Sequence, residues 1–185
     1  MNEQMKKYKT RDWVLIAMVA AVLGVIFIFL DSLYTPLSNL LGPVFLGITY
    51  GVYTLSALLP LYLIRKPGAA LAGSLFASVI NMLGGSPYGV NILVAGLLQG
   101  LGAEAGFVIG KYRRYSLADF FIAAIFMTAF VYVRDYFVFG LSQLSLSITI
   151  ETILVRYLST AIIGYLLCKV IGKSLNKVGL VQYDK

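Results

Sequence analysis

Long apolar stretches alternate with short polar junctions along the whole chain. They run from Trp13 to Leu30, Leu41 to Ile64, Pro67 to Leu83, Tyr88 to Gly110, Leu117 to Leu141 and Ile148 to Gly172. Each has about the 20 residues that a helix rising about 1.5 Å per residue needs to cross a hydrocarbon core of about 30 Å. The pattern predicts an all-α integral membrane bundle of six transmembrane helices, a single domain over residues 1–185. The basic residues predict its orientation. Lys6, Lys7, Lys9 and Arg11, then Arg65 and Lys66, then Lys111, Arg113 and Arg114, then Lys169, Lys173, Lys177 and Lys185 all fall at one set of ends. The opposite junctions, Asp31 to Leu40, Gly84 to Pro87 and Ser142 to Ser147, read as outer loops and carry no basic residue. By the positive-inside rule both termini are cytoplasmic.

With 59% hydrophobic and 12% charged residues, the chain is too apolar for a soluble domain, and the net charge of +7 is accounted for by the basic junctions. No nucleic-acid role is needed to explain it. The first span is too long for the apolar core of a cleaved leader and has no A-x-A site after it, so it is expected to remain. The chain has no His and one Cys, Cys168. That excludes disulfides within the chain, His/Cys metal clusters and His-based acid–base chemistry, and no cofactor is expected. No segment has the Gly-x-x-x-x-Gly-Lys-Ser/Thr pattern of a phosphate-binding loop, so any ATP is hydrolysed by another chain.

Small residues mark where helices approach closely. Gly96 and Gly100 form one ladder, Gly102, Gly106 and Gly110 a second, and Gly73, Ala77 and Asn81 a strip that ends on an amide. The first span carries Ala17-x-x-x-Ala21, with Ala20-x-x-x-Gly24 beside it. Packing within the chain is the simpler reading of each, and a face for a partner protein the other.

Polar groups inside apolar spans are costly and face a partner or a cavity. Tyr50, Tyr53, Asn81, Asn91, Gln99, Tyr132, Asp135, Glu151 and Arg156 fall in the outward half of their spans, and only Glu104 lies deeper. Such clustering describes a cup open to the outside, whereas a channel needs a polar lining along its full length. Tyrosine rings, amides and a few charges suit a small aromatic heterocycle with amino and hydroxyl groups. Asp135 and Arg156 are either ligand-facing or a structural ion pair, and Arg134 is placed to snorkel to the interface. Isolated tyrosines also occur in the aromatic belt.

Three segments carry a family resemblance: IRKPGAAL from Ile64 to Leu71, the loop GGSPYG, and LLQGLGAEAGF from Leu97 to Phe107. LGP at Leu41 to Pro43, TYG at Thr49 to Gly51, Asp135 and Arg156 extend it over nearly the whole chain. The sequence resembles the YkoE-type substrate-binding S components of energy-coupling factor (ECF) transporters. The resemblance implies a non-catalytic subunit that captures thiamine or its hydroxymethylpyrimidine precursor. It would deliver that ligand through a complex with a coupling transmembrane subunit and two ATPase subunits. The expected ligand shell is Tyr50, Asn81, Asn91, Gln99, Tyr132, Asp135, Glu151 and Arg156, with Ala17, Ala21 and Gly24 as the docking surface. Glu104 is read as structural. In the family pattern the position of Asn81 is often acidic, a departure that favours a neutral pyrimidine over cationic thiamine. The competing reading is a stand-alone secondary carrier or channel, in which Glu104 would relay protons. An intramembrane enzyme is disfavoured, because no nucleophile–base pair is visible.

Overall fold

The computed structural model describes residues 7–138 and 140–181, except the side chains of residues 35 and 142. Lys6 and Lys185, counted above among the basic residues, lie outside the described residues. All regular structure among the described residues is helical. The order is α1 (Thr10–Leu46), a 3-10 turn (Gly47–Thr49), α2 (Tyr50–Tyr53), α3 (Leu55–Ile64), α4 (Ala69–Leu83), α5 (Asn91–Ile109), α6 (Leu117–Val138), a 3-10 turn (Leu141–Gln143), α7 (Leu146–Leu158), a π turn (Ser159–Gly164) and α8 (Tyr165–Lys177).

Five stretches are long and apolar enough to cross a membrane: Thr10–Tyr34, Pro36–Ile64, Asn91–Ile109, Leu117–Val138 and Leu146–Lys177. The third predicted span is shorter than expected. Its helix, α4, has 15 residues, because Arg65 and Gly68 turn the chain in the left-handed region (φ 55° and 91°) before the helix begins. The outer loop expected from Asp31 to Leu40 is also corrected, since α1 stays helical through it. The break comes later, at Gly42 (φ 79°, ψ 163°), a conformation that only glycine adopts at little cost.

Close backbone packing holds α4, α5 and α6 together. A Cβ on Gly102 would lie 2.7 Å from Met127 Cα, and one on Gly106 2.3 Å from Ala123 Cα, so that ladder seats α5 against α6. On another side of α5, Gly96 and Gly100 meet Ser78, Ser74 and Leu71 of α4. Gly73 of α4 lies against Pro60 and the Ser56 carbonyl of α3. These ladders are therefore intramolecular contacts. Gly24 belongs with them: its missing side chain makes room for Ile80 and the Ala77 carbonyl, so it packs α1 on α4 instead of facing outward. Ala17 and Ala21 are exposed.

Glu104 has the structural place expected of it. One carboxylate oxygen accepts the Ala70 amide at 2.8 Å, capping the first turn of α4, and the other accepts the Tyr112 hydroxyl at 2.6 Å. Burial, and then the bond to Glu104, push the Tyr112 phenol above its ordinary value. Nearby, Lys66 pairs with Asp12, Tyr8 donates to the Pro67 carbonyl at 2.8 Å, and Arg11 donates to the Leu180 carbonyl at 2.6 Å. The N-terminal end of α1, the α3–α4 turn and the segment after α8 are thereby tied into one base. Above it sits an aromatic core that includes Phe107 and Phe120.

Candidate ligand cavity

Three helices present the same spacing to the interior at the other end of the bundle. Phe27, Asp31 and Tyr34 on α1 are related as i, i+4 and i+7, as are Ser74, Ser78 and Asn81 on α4 and Ile92, Gly96 and Gln99 on α5. That spacing keeps side chains on one helix face. All of these except Ser74 line one cavity of about 340 Å³, which is completed by Tyr50 and Tyr53 of α2, Ser56 of α3, Tyr88, and Val131, Arg134, Asp135 and Arg156 of α6 and α7. The far part of α1 contributes Ser38, Asn39 and Pro43.

Two charged clusters lie in this wall. Asp31 is 2% exposed. Its carboxylate accepts the Tyr53 hydroxyl at 3.0 Å, the Asn81 amide at 2.8 Å and the Ser86 hydroxyl at 2.7 Å. In the second cluster, Arg156 donates through Nη1 to Asp135 Oδ2 at 2.5 Å. Arg134 donates through Nε to Asp135 Oδ1 at 2.8 Å and also through Nη2. The Arg156 guanidinium lies over the Tyr50 ring, 5.3 Å from its centroid, which fixes it as a cation–π pair. Asp135 and Arg156 thus form an ion pair, and that pair lines the cavity.

Of the residues expected in the ligand shell, Tyr50, Asn81, Gln99, Asp135 and Arg156 come together here. Asn91, Tyr132 and Glu151 do not. Asn91 is exposed and its carbonyl accepts from Arg134 at 3.2 Å. Glu151 is exposed. Tyr132 lines a separate apolar groove between α6 and α7 with Ile125, Ile153 and Leu154. Arg134, expected to snorkel, reaches back to Asp135 and the cavity. Asp31 was missed because it was assigned to a loop. Its position four residues after Phe27 and three before Tyr34 was the signal that could have found it. Asp31 also bears on Asn81, whose side-chain amide donates to the carboxylate that α1 supplies.

Comparison with known proteins agrees with this architecture. The family described as "ABC-type cobalt transport system, permease component" matches residues 11–130. The chain is 30% identical over 178 residues to the putative HMP/thiamine permease protein YkoE of Bacillus subtilis (strain 168), covering 96% of this chain and 89% of that one. The chain belongs to this family of membrane permeases. A crystal structure of an S component of an ECF transporter superposes with a TM-score of 0.89 at 29% identity, covering 94% of this chain and 88% of that one. As a YkoE-type S component, this protein carries the ligand-sized cavity on its own chain. Among the described residues there is no group of three or more His, Cys, Asp or Glu that could hold a metal ion.

Proposed function

We infer that the protein is the capturing subunit of an importer for thiamine or its hydroxymethylpyrimidine precursor. The observation that carries this is the cavity of about 340 Å³, within the size range of small-molecule sites, lined by Tyr34, Tyr50, Tyr53 and Tyr88 together with the amides of Asn81 and Gln99. Aromatic faces stack on a flat heterocycle, and amides and charged groups satisfy its ring nitrogens, amine and hydroxyl. The names of its relatives, an HMP/thiamine permease and an ECF S component, support the same reading. The protein sits in the bacterial plasma membrane with six membrane-crossing helices and both termini in the cytoplasm. It performs no catalysis, and it joins a coupling transmembrane subunit and two ATPase subunits through the exposed Ala17–Ala21 face of α1. The structural reading of Glu104 over a proton relay is supported by its two oxygens, which accept from the Ala70 amide and the Tyr112 hydroxyl.

Uptake into vesicles tests this directly. Labelled thiamine or hydroxymethylpyrimidine should accumulate only when the coupling and ATPase subunits and ATP are present. Accumulation by this chain alone would establish the carrier instead, and calorimetric titrations showing no affinity for either compound would remove the substrate class.

A further inference from the structure

We propose that the cavity holds its ligand in one fixed orientation, with an amine or ring cation against Asp31 and an acceptor group on the guanidinium of Arg156. This rests on the thiamine-type reading and adds which end of the ligand goes where. Asp31 is 2% exposed, yet its three partners, Tyr53, Asn81 and Ser86, are all neutral. Neutral donors satisfy a carboxylate's lone pairs and leave its charge uncancelled. At the other cluster the guanidinium of Arg156 meets the carboxylate of Asp135, which also pairs with Arg134. Arg156 has five N–H donors, and among the described residues its one hydrogen bond is the Nη1 contact with Asp135.

The two clusters share no residue and line the same cavity. One therefore presents a carboxylate whose partners are all neutral, the other the N–H donors of Arg156 that Asp135 leaves unused, and Tyr34, Tyr50, Tyr53 and Tyr88 line the same cavity. A flat heterocycle with a donor or cationic end and an acceptor end matches this field in one direction and opposes it when turned round. A dianion or a uniformly cationic ligand meets a like charge at one end. The class selected is an amphoteric heteroaromatic, and the two charged clusters fix its direction.

The test is a cycle between protein variants and ligand groups, read by calorimetric titration of the full-length protein in detergent. Three probes serve: hydroxymethylpyrimidine, its analogue with hydrogen in place of the exocyclic amine, and its analogue with methyl in place of the hydroxymethyl group. Asp31→Asn should weaken the amine-bearing compound about tenfold more than the amine-free one. Arg156→Lys should weaken the hydroxymethyl compound more than the methyl one. Comparing two probes on the same folded variant removes any loss that comes from structure alone. Equal losses for both members of a pair, or coupling of Asp31 to the hydroxyl and Arg156 to the amine, would overturn the orientation. Should Asp31→Asn not fold, the Arg156→Lys pair decides alone. If the parent binds none of the probes, the substrate reading fails and the orientation falls with it, whereas binding without coupling refutes the orientation only.

Discussion

Replacing Gly106 by Ala adds one methyl group directly against the backbone of α6. The new Cβ would stand 2.3 Å from Ala123 Cα, 2.7 Å from Ala123 Cβ and 2.7 Å from the Ala123 nitrogen. All three atoms belong to the backbone of α6 or are fixed to it, so no rotamer change relieves the clash, and α5 must move away from α6. Overpacking of this kind costs about 1 to 3 kcal/mol. Gly110 provides the control on the same ladder, since a Cβ there meets the Asp119 carboxylate at 2.9 Å and nothing else closer than 3.7 Å. A side-chain end can swing aside, so Gly110→Ala should cost less than Gly106→Ala. Loss of helicity against the mole fraction of denaturing detergent in mixed micelles measures both. The displacement should also reach the cavity, because Gln99 lies seven residues along α5, about 10 Å, so Gly106→Ala should weaken ligand binding as well. Parent-like stability for Gly106→Ala would show that the α5–α6 approach is not set by this glycine.

Asp135→Asn removes the carboxylate shared by Arg134 and Arg156 and should destabilise the protein by about 3 to 5 kcal/mol, read by the same micelle titration; unchanged stability would show that the ion pairs are not structural. Ala17→Trp combined with Ala21→Trp should leave ligand affinity near normal, since both positions are exposed and away from the cavity, and should abolish co-purification with the coupling and ATPase subunits; undiminished co-purification would remove this face from the docking role. In a background where the buried Cys168 is replaced by Ser, a cysteine at Pro87 should react with an impermeant thiol reagent outside intact cells and one at Arg114 only after permeabilisation; the reverse pattern would invert the orientation.

The helices were legible because apolar runs and helical spacing report directly on burial. The small-residue ladders were legible too, since glycine at i and i+4 has one dominant use in a helix interface. The cavity was legible by depth and much less by direction. Glu151 and Arg156 lie at similar depth, yet five residues turn a helix by about 140°, and Glu151 ends on the exposed side while Arg156 faces inward. Asn91 and Tyr132 were selected on the same ground and point elsewhere. Asp31 failed for another reason: the local chemistry of DSLYTPLSNL, with Pro36 and Asn39, describes a loop, whereas α1 is helical as far as Gly42. The reach of Arg134 back to Asp135 was hidden as well, because a long flexible side chain can point either way.

The short α4 has a bearing on distance travelled. Its first turn is level with the basic pair Arg65 and Lys66, and its 15 residues rise about 22 Å, some 8 Å less than a hydrocarbon core of about 30 Å. The turn that follows is not left bare at that depth: the Ser86 amide bonds to the Asn81 carbonyl at 3.2 Å and the Gly89 amide to the Ser86 carbonyl at 3.1 Å. Irregular backbone below the membrane surface is tolerated where it lines a wet cavity, and Asn81 and Tyr88 line this one. If the chain spans the membrane and binds its solute as proposed above, water reaches inward along α4, and a solute resting on Asn81 has covered about a quarter of the passage before any partner subunit acts.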